Sequence, residues 1–382
     1  MTLKRILSLF ICTACAGVVY SQTQIDETFI WDGNNREYTI YIPASYDGTS
    51  EFPLVFNFHG GGDFVPSHMS SADMRPIADT ANFILVYPQA IPDPGNGGST
   101  SWMHKEPTTH DDVPFVEAMI DSISMNYNIN TDRVYACGYS LGGEFTFELS
   151  CQLNNRIAAI GAVARTMGAG TYNNCSPVHP TGVITVLGTA DPISDYNGVW
   201  YLGVQYYMSA DEQNSYWVSH NNCEPTAVIT PIADTDPSDG STVERHTWAN
   251  MDGCVYVEEL KVINGGHDWP GSSGNMDIDA SKEIWKFVSN YNLNGIIECS
   301  TNSIDQVSEV NIQVFPNPMS NQLIIESNYS EPMTFHVYNI LGKAVLTGRI
   351  YSGENSIDVT SLKSNFYTLS IGNETTKLVK ID

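Results

Sequence analysis

Residues 134–143 read Val-Tyr-Ala-Cys-Gly-Tyr-Ser-Leu-Gly-Gly. The first four of these residues are typical of a buried β-strand, and the apolar residues from 145 to 149 lie in a predicted helix. Ser140 therefore stands at a sharp turn between a strand and a helix, where the glycines around it let two backbones come close together. The Gly-x-Ser-x-Gly pattern is short enough to occur by chance, so the sequence around it decides its meaning.

The chain on both sides of this turn alternates short β-branched runs with longer helical patterns. This alternation is typical of a largely parallel sheet with helices on its faces, so we predict an α/β body. Asp111 and Asp112 suit a helix start, and the apolar side chains of residues 113–123 then fall on one face. The predicted strands are residues 38–42, 54–58, 83–87, 134–137, 157–163, 183–187 and 255–263, and further helices are predicted at residues 72–80 and 277–288.

A glycine-rich loop follows the predicted strand at residues 54–58. It reads His59-Gly60-Gly61-Gly62, which matches the type of loop that supplies a backbone N–H group to an oxyanion hole. We expect Gly60 and Gly61 to contribute to this hole and the N–H group of Leu141 to be the second donor. The loop lacks the Gly-Lys-Ser/Thr ending of a P-loop, which argues against phosphate binding.

A carboxylate and a histidine follow the serine in chain order. Asp191 comes shortly after one predicted strand, and His267 comes after the last one. We predict that Ser140 is a nucleophile, that His267 is its base, and that Asp191 orients the histidine. In this arrangement the imidazole takes the hydroxyl proton during attack and later returns it to the leaving group.

Three other residues are weaker candidates for these roles. Asp195 lies close to Asp191, but loop aspartates are usually solvated or cap a turn, and its position relative to the strand is less suitable. His220 falls in a predicted helix and His246 falls inside a strand-like run, so we interpret both histidines as structural.

The first 21 residues have the pattern of a cleavable secretory signal. Lys4 and Arg5 precede an apolar run over residues 6–19, and small residues follow. The run is shorter than the roughly 20 residues that a membrane span requires, and no later run is long enough. We expect an exported protein without a transmembrane segment, with a lipid anchor on Cys15 as an alternative.

The chain is strongly acidic, with a formal net charge of -26. Removal of the signal would make it more negative, because residues 1–21 contain basic and no acidic side chains. Nucleic acid and anionic surfaces are therefore poor partners. Such acidity also keeps exported proteins soluble, so it says little about the substrate.

The cysteines suggest disulfides rather than a metal site. Of the eight cysteines, those beyond the signal form an even number, and the export route permits disulfides. They lack the two-residue spacing of a zinc ribbon, so we predict no metal site. We expect Cys223 to pair with Cys254 and Cys151 to pair with Cys175.

Aromatic side chains near the predicted site are candidates for substrate binding. Trp102 and Trp269 have flat faces that could stack on a sugar ring or an aromatic acyl group, although such residues more often pack in a pocket wall. Tyr139, beside the serine, is the third candidate. The acidic segment 234–240 departs from the spacing of an EF-hand loop, so we interpret it as a polar surface loop.

The composition changes towards the end of the chain. Residues 299–308 are rich in Ser, Thr, Asn and Asp, which is typical of a linker. Residues 309–382 contain short predicted strands, such as 323–325, 335–338 and 367–371, separated by turn residues, which predicts a small β-sandwich. The predicted order is a signal peptide (1–21), an α/β domain (22–298), the linker and the sandwich.

Residues 38–291 resemble the secreted esterase family of polyhydroxybutyrate depolymerases and feruloyl or acetylxylan esterases. The resemblance implies an α/β-hydrolase fold, the activity of a serine carboxylic ester hydrolase, and a bridge between Cys223 and Cys254. The family often has His where Leu187 stands and Thr or Gln where Asp268 stands. The motifs that carry the resemblance are His59-Gly60-Gly61-Gly62, Asp111-Asp112-Val113, Gly138-Tyr139-Ser140-Leu141-Gly142-Gly143, Gly188-Thr189-Ala190-Asp191 and Gly266-His267-Asp268-Trp269-Pro270-Gly271.

Residues 310–382 resemble the C-terminal sorting domain of type IX secretion. The resemblance implies export through the outer membrane by the type IX machinery, cleavage of the domain, and a final location outside the cell or on its surface. The motifs that carry it are Phe315-Pro316-Asn317-Pro318, Tyr338-Asn339-Ile340-Leu341-Gly342-Lys343 and Phe366-Tyr367.

The leading hypothesis is a secreted serine esterase that needs no cofactor and acts on feruloyl or acetyl esters of plant cell-wall polysaccharide. A polyhydroxybutyrate or polyester depolymerase is the first alternative, and the absence of an apparent polyester-adsorbing module in the sequence disfavours it. A non-catalytic carbohydrate-binding or adhesive protein that keeps the fold is the second. The sequence has no His-Glu-x-x-His motif, which argues against a metal-dependent hydrolase.

Overall fold

The computed structural model describes residues 22–94, 97–102, 111–252, 254–297, 313–327, 332–340, 342–371 and 374–381. The chain divides into two compact units, Met1–Thr301 and Asn302–Asp382. The predicted signal at residues 1–21 and the predicted linker at residues 299–308 lie outside the described residues. No helix in the described part of the chain is long and apolar enough to span a bilayer.

The first unit is built on a ten-stranded sheet with the order β1-β2-β4-β3-β5-β6-β7-β12-β11-β10. The strands run in chain order as β1 (Thr23–Trp31), β2 (Asn34–Ile42), β3 (Phe52–Phe58), β4 (Ile84–Pro88), β5 (Ile129–Tyr139), β6 (Ala159–Val163), β7 (Gly182–Gly188), β8 (Val199–Tyr201), β9 (Val204–Tyr207), β10 (Val228–Pro231), β11 (Thr242–Ala249) and β12 (Val255–Ile263). β8 and β9 form a separate hairpin, and a short pair, β13 (Tyr291–Asn292) and β14 (Gly295–Ile296), follows the last helix.

The central strands of the sheet, from β4 to β12, are parallel. Every residue of β3, β4, β6 and β7 is buried, as expected for parallel strands covered on both faces. The edges are antiparallel: β1 pairs with β2 at one edge, and β10 pairs with β11 at the other. The predicted α/β class with a mostly parallel sheet is confirmed.

Helices cover both faces of this sheet. Along β3, Leu54 and Phe56 belong to one apolar core and Val55 belongs to the other, because successive side chains of a strand point to opposite faces. The first core contains Phe115 and Phe147 from the helices that cover it. The helices are α1 (Val65–Ser71), α2 (Arg75–Ala81), α3 (Asp112–Asn126), α4 (Leu141–Gln152), α5 (Ala169–Asn174), α6 (Ala210–His220) and α7 (Ala280–Val288).

The two aspartates at the start of α3 have different roles. Asp111 is the N-cap residue, and its side chain accepts a hydrogen bond of 2.9 Å from the N–H group of Val113. Asp112 is fully buried and forms an ion pair of 2.5 Å with Arg36 of β2. The guanidinium of Arg36 also lies 3.9 Å from the ring centroid of Phe115. This ion pair ties the helix to the sheet beneath it.

The second unit is a small β-sandwich. A three-stranded sheet with the order β15-β16-β19 and a four-stranded sheet with the order β18-β17-β20-β21 share one core that includes Leu323, Phe335 and Leu369. Each sheet is antiparallel throughout its described pairs. The strands are β15 (Gln313–Phe315), β16 (Gln322–Ser327), β17 (Met333–Asn339), β18 (Ala344–Ile350), β19 (Gly353–Asp358), β20 (Asn365–Ile371) and β21 (Glu374–Lys380).

One predicted disulfide is present and the other is wrong. Cys151, near the end of α4, is bonded to Cys175 after α5, as predicted. Cys223 is a half-buried free thiol. Cys254 is disulfide-bonded, but not to Cys223. Cys223 and Cys254 both contact Asn250 through backbone bonds or bridges, so closeness in space does not make them a pair.

We predict that replacing both Cys151 and Cys175 with Ala lowers the free energy of unfolding by about 3 kcal/mol, because the bond closes a loop with a sequence separation of 24. Chemical denaturation followed by circular dichroism measures this change. Cys223→Ala is the matched control and should change stability by less than about 1 kcal/mol. Equal losses in the two variants would contradict the assignment of Cys223 as an unbonded thiol.

Candidate active site

Ser140 lies between β5 and α4 with φ 52° and ψ -121°, a backbone conformation that a residue with a side chain rarely adopts. A hydrogen bond of 2.9 Å from its N–H group to the carbonyl of Val163 helps to hold it. The turn requires glycine on both sides. A Cβ atom on Gly142 would lie 2.2 Å from the carbonyl oxygen of Phe58, and one on Gly138 would lie 2.5 Å from the backbone of Gly142.

His267 connects Ser140 to Asp191. The Nε2 atom of His267 lies 2.9 Å from Ser140 Oγ, and its Nδ1 atom lies 2.7 Å from Asp191 Oδ2. The loops that carry Asp191 and His267 are packed backbone to backbone, since a Cβ atom on Gly188 would lie 2.4 Å from the carbonyl oxygen of Gly265. The structure therefore brings together three residues that are far apart in sequence.

Hydrogen bonds fix the carboxylate and the imidazole. Asp191 Oδ1 accepts bonds of 2.8 Å from the N–H groups of Ile193 and Ser194. Burial alone would raise the pKa of Asp191, but the hydrogen bonds from His267 and these two N–H groups outweigh it and hold this pKa below its usual value. An ionised Asp191 accepts a hydrogen bond from the Nδ1–H group of His267. In this tautomer Nε2 carries no proton and can accept a hydrogen bond from the hydroxyl of Ser140.

Tyr139 supports the histidine from the other side. Its hydroxyl donates a 2.6 Å hydrogen bond to the carbonyl oxygen of His267. Burial, together with the carboxylates of Asp268 and Asp191, raises the pKa of Tyr139 to about 12. The hydroxyl is therefore protonated at neutral pH and remains a donor.

The glycine loop lies beside the first residue of α4. A Cβ atom on Gly61 would be 2.5 Å from Leu141 Cδ1, so the two residues are in direct contact. Within the part of the chain that the structure describes, the N–H groups of Gly61 and Leu141 make no hydrogen bond to protein atoms. These two N–H groups therefore remain the candidate donors of the predicted oxyanion hole.

The buried side chain of His59 connects the glycine loop to the segment after β4. The Nε2 atom of His59 accepts a 3.0 Å hydrogen bond from the N–H group of Ala90, so the ring proton is on Nδ1, which donates to the carbonyl of Gly60 at 2.6 Å. Burial lowers the pKa of His59, which keeps the ring neutral. The indole N–H group of Trp102 donates a 2.8 Å bond to the carbonyl of His59.

A cavity of about 550 Å³ opens at Ser140 and His267. Asp191 lies behind His267 and does not line it. Two lining residues that were not predicted, Arg165 and Ile193, stand soon after parallel strands, and residues at the carboxyl ends of such strands commonly form sites. The predicted residues in the wall are Gly60, Gly61, Tyr139, Ser140, Leu141 and His267, and the others are Gly62, Asp63, Ser99, Arg165 and Ile193.

The expectation that Trp102 and Trp269 contact the substrate is wrong for the described structure. Trp102 is 3% exposed and Trp269 is 4% exposed, and neither lines the cavity. The ring of Trp102 stacks at 5.2 Å on Phe145, and the indole N–H group of Trp269 donates to Ser281. Both side chains support the core beneath the site.

The rejected candidates lie in other surroundings. Asp195 accepts a hydrogen bond from the N–H group of Asn197, His220 contacts the carbonyl of His179, and His246 pairs with Glu244. Among the described residues, no three His, Cys, Asp or Glu side chains are grouped so that they could hold a metal ion.

Both units are similar to known proteins. Residues 313–381 match the family described as the secretion system C-terminal sorting domain. A bifunctional acetylxylan esterase/xylanase of Neocallimastix patriciarum is 28% identical over 276 residues, covering 71% of this chain and 35% of that protein. A probable feruloyl esterase C of Aspergillus niger is 24% identical over 263 residues, covering 66% of this chain and 84% of that protein. The chain thus spans about a third of the first relative and most of the second.

Among solved structures, the acetyl xylan esterase from Aspergillus awamori matches with a TM-score of 0.50 at 15% identity, covering 70% of this chain and 99% of that protein. This likeness confirms the predicted α/β-hydrolase fold. The two curated relatives are named as esterases. The predicted resemblance to feruloyl and acetylxylan esterases is confirmed, and so is the predicted enzyme class, a carboxylic ester hydrolase. The sorting domain confirms a secreted or cell-surface protein exported by type IX secretion.

We predict that Gly142→Ala destabilises the protein by more than about 2 kcal/mol, because the added Cβ atom would overlap the backbone of Phe58. Urea denaturation measures the effect. Gly170→Ala, in α5, is the control: a Cβ atom there meets nothing within 4 Å, and the change should be neutral or stabilising by up to about 1 kcal/mol. Similar results for both variants would argue against the close approach at Gly142.

Proposed function

We propose that the protein is an exported serine esterase in which Ser140 is the nucleophile, His267 is the general base and Asp191 orients the histidine. The observation that carries this proposal is the unbroken chain of short contacts from Ser140 Oγ through His267 to Asp191 Oδ2. The proposal assigns hydrolysis to residues 22–298, with residues 299–308 as a linker, and export to residues 309–382.

In the first half of the reaction, His267 Nε2 takes the hydroxyl proton as Ser140 Oγ attacks the carbonyl carbon of the ester. The negative charge that develops on the carbonyl oxygen is stabilised by N–H groups of the glycine loop, at Gly60 and Gly61, and by the N–H group of Leu141. The bond between the acyl carbon and the alcohol oxygen then breaks. His267 donates its proton to the departing alcohol, and the acyl group remains on Ser140.

In the second half, water replaces the alcohol. His267 takes one proton from the water, and the resulting hydroxide adds to the acyl carbon. The bond to Ser140 Oγ breaks, His267 returns its proton to that oxygen, and the carboxylic acid leaves. The ionised Asp191 stabilises the imidazolium in both halves, and no cofactor takes part.

We propose feruloyl or acetyl esters of plant cell-wall polysaccharide as the substrates. The support comes from two relatives whose names state acetylxylan and feruloyl esterase activity, and from a sorting domain that takes the enzyme to where such polymers occur. A polyester such as polyhydroxybutyrate is the alternative substrate, and a non-catalytic carbohydrate-binding protein is the alternative of another class.

The exposed aromatic side chains of the β8–β9 hairpin support the proposal that the substrate is a polymer. Trp200 and Tyr201 of β8 and Tyr206 of β9 are each more than half exposed, and the rings of Tyr201 and Tyr206 lie 6.4 Å apart. The next residue, Tyr207, packs against Arg165, which lines the cavity. The aromatic side chains therefore adjoin the proposed active site, where they can stack on sugar rings or on an apolar polyester surface.

We predict that Ser140→Ala folds normally but loses about six orders of magnitude in kcat on p-nitrophenyl acetate. Asp191→Asn should lose about four orders, because the carboxylate no longer holds the correct tautomer of His267. Steady-state kinetics on the purified full-length variants measures both losses.

The matched control for Asp191→Asn is Asp195→Asn, which removes a nearby loop carboxylate that has no contact with His267. Its kcat should stay within about threefold of the unchanged protein. Hydrolysis by Ser140→Ala at an undiminished rate would overturn the mechanism. A folded protein with no activity on any ester would favour the non-catalytic alternative.

We predict that the double variant Trp200→Ala/Tyr201→Ala lowers the ratio of polymer to small-ester hydrolysis by about tenfold, because stacking contacts are lost only for the polymer. Acetylated xylan, feruloylated arabinoxylan and polyhydroxybutyrate are compared with p-nitrophenyl acetate. Met125→Ala, which removes another exposed apolar side chain, is the control. An unchanged ratio would exclude the hairpin from polymer binding, and a loss restricted to polyhydroxybutyrate would favour the polyester alternative.

A further inference from the structure

One charged side chain in the wall of the cavity has no part in the proposed hydrolysis. Arg165 follows β6, two residues after Val163 and directly after Ala164, whose φ is 54°. β6 is the parallel neighbour of β5, so Arg165 leaves the sheet at the same edge as Ser140. Both residues line the cavity together with His267.

Arg165 is buried without a counter-ion. The residue is only 7% exposed, and its Nε atom is buried with no hydrogen-bond partner. In the described ranges, no carboxylate oxygen lies within ion-pair distance of its guanidinium. Leaving a buried charge unpaired is costly, so such a group in a cavity wall commonly has a partner that arrives with the ligand.

The other arginines of the first unit within the described residues are all partnered. Arg36 pairs with a buried aspartate, and Arg75, Arg156 and Arg245 each pair with at least one carboxylate. Arg133 donates to a tyrosine hydroxyl and to a backbone carbonyl. Arg165 is therefore the exception among the described arginines of the first unit, although the chain has a large excess of acidic residues.

The guanidinium is held in place by an aromatic ring. Its central carbon lies 4.4 Å from the ring centroid of Tyr207, a cation–π contact that orients the group without neutralising its charge. Tyr207 is itself fixed by a β-bridge to Gly168. Arg165 is thus positioned before any ligand arrives, and such preorganisation favours binding.

The wall of the cavity also contains an acidic residue. Asp63 also lines it, but the Asp63 carboxylate accepts a hydrogen bond from the N–H group of Phe64 and is outside ion-pair distance of Arg165. Asp191 lies behind His267 and is satisfied there. Neither carboxylate forms an ion pair with the guanidinium of Arg165.

We propose that Arg165 binds a carboxylate carried by the substrate, so that the enzyme prefers esters with a negative charge close to the bond that is cleaved. A planar guanidinium matches a carboxylate with two parallel hydrogen bonds. This inference rests on the proposed esterase function. The carboxylate is bound but not altered, and the bond that breaks is still the one between the acyl carbon and the alcohol oxygen.

The carboxylate can belong to either side of the ester. On the acyl side it is the free end of a dicarboxylic acid half-ester, and on the alcohol side it is an acidic group such as that of a uronic acid sugar. Two matched pairs of substrates separate these sources. The acyl pair is mono-p-nitrophenyl adipate and p-nitrophenyl adipamate, and the alcohol pair is 4-carboxyphenyl acetate and 4-carbamoylphenyl acetate. In each pair a neutral amide replaces the carboxylate.

The experiment compares kcat/KM within each pair for the full-length protein and for Arg165→Met and Arg165→Lys. The preference for the charged member should fall by about tenfold to a hundredfold in Arg165→Met in at least one pair, with most of the change in KM. Arg165→Lys should retain part of the preference, because the charge remains but the planar donor pair is lost. The difference in intrinsic reactivity within a pair cancels in this comparison.

Arg156→Met is the matched control. It removes the same charge from a surface ion pair, so it reports any effect of net charge alone and should leave the preference unchanged. An unchanged preference in both pairs for Arg165→Met, or an equal loss on the charged and neutral members, would overturn the role of Arg165. Absence of Ser140-dependent hydrolysis of every substrate would instead refute the proposed function itself.

Discussion

The close approach between Gly142 and the backbone of Phe58 is the constraint on which the site depends. It allows α4 to begin directly at the end of β5, and it forces Ser140 into a conformation with positive φ. Ser140 lines the cavity, and the N–H group of Leu141 has no partner within the described protein. One steric requirement thus provides both a nucleophile and an oxyanion donor for the proposed reaction.

The remaining parts of the site are brought to the same edge by the parallel sheet. Strands β7 and β12 are neighbours, and the contact between Gly188 and Gly265 sets the spacing of the loops that carry Asp191 and His267. The glycine loop after β3 is held by the neutral ring of His59. Arg165 follows β6, which lies between β5, the strand before Ser140, and β7, the strand before Asp191. It lines the cavity, where we propose that it binds a negatively charged group of the substrate.

The sequence predicted those features that depend on local patterns. The buried strands, the helix start at Asp111 and the loop positions of Ser140, Asp191 and His267 follow from hydrophobic runs and turn residues. Features that depend on packing were not predictable. The position of a tryptophan in the sequence does not show whether its ring is exposed for binding or buried, as that of Trp102 is. The positions of the cysteines do not show which of them are bonded, and Cys223 is a free thiol. The antiparallel edge strands, such as β1, carry too little apolar signal to be recognised.

The role of Ser140 is tested most directly by covalent labelling with a fluorophosphonate. Attack by an activated serine breaks the P–F bond, forms an Oγ–P bond and releases fluoride and a proton. Intact-mass and peptide mass spectrometry of the full-length protein should show one adduct, located on Ser140, that is absent from Ser140→Ala and forms much more slowly in His267→Ala. A folded protein that forms no adduct, or forms it on another residue, would contradict the assignment of Ser140 as the nucleophile.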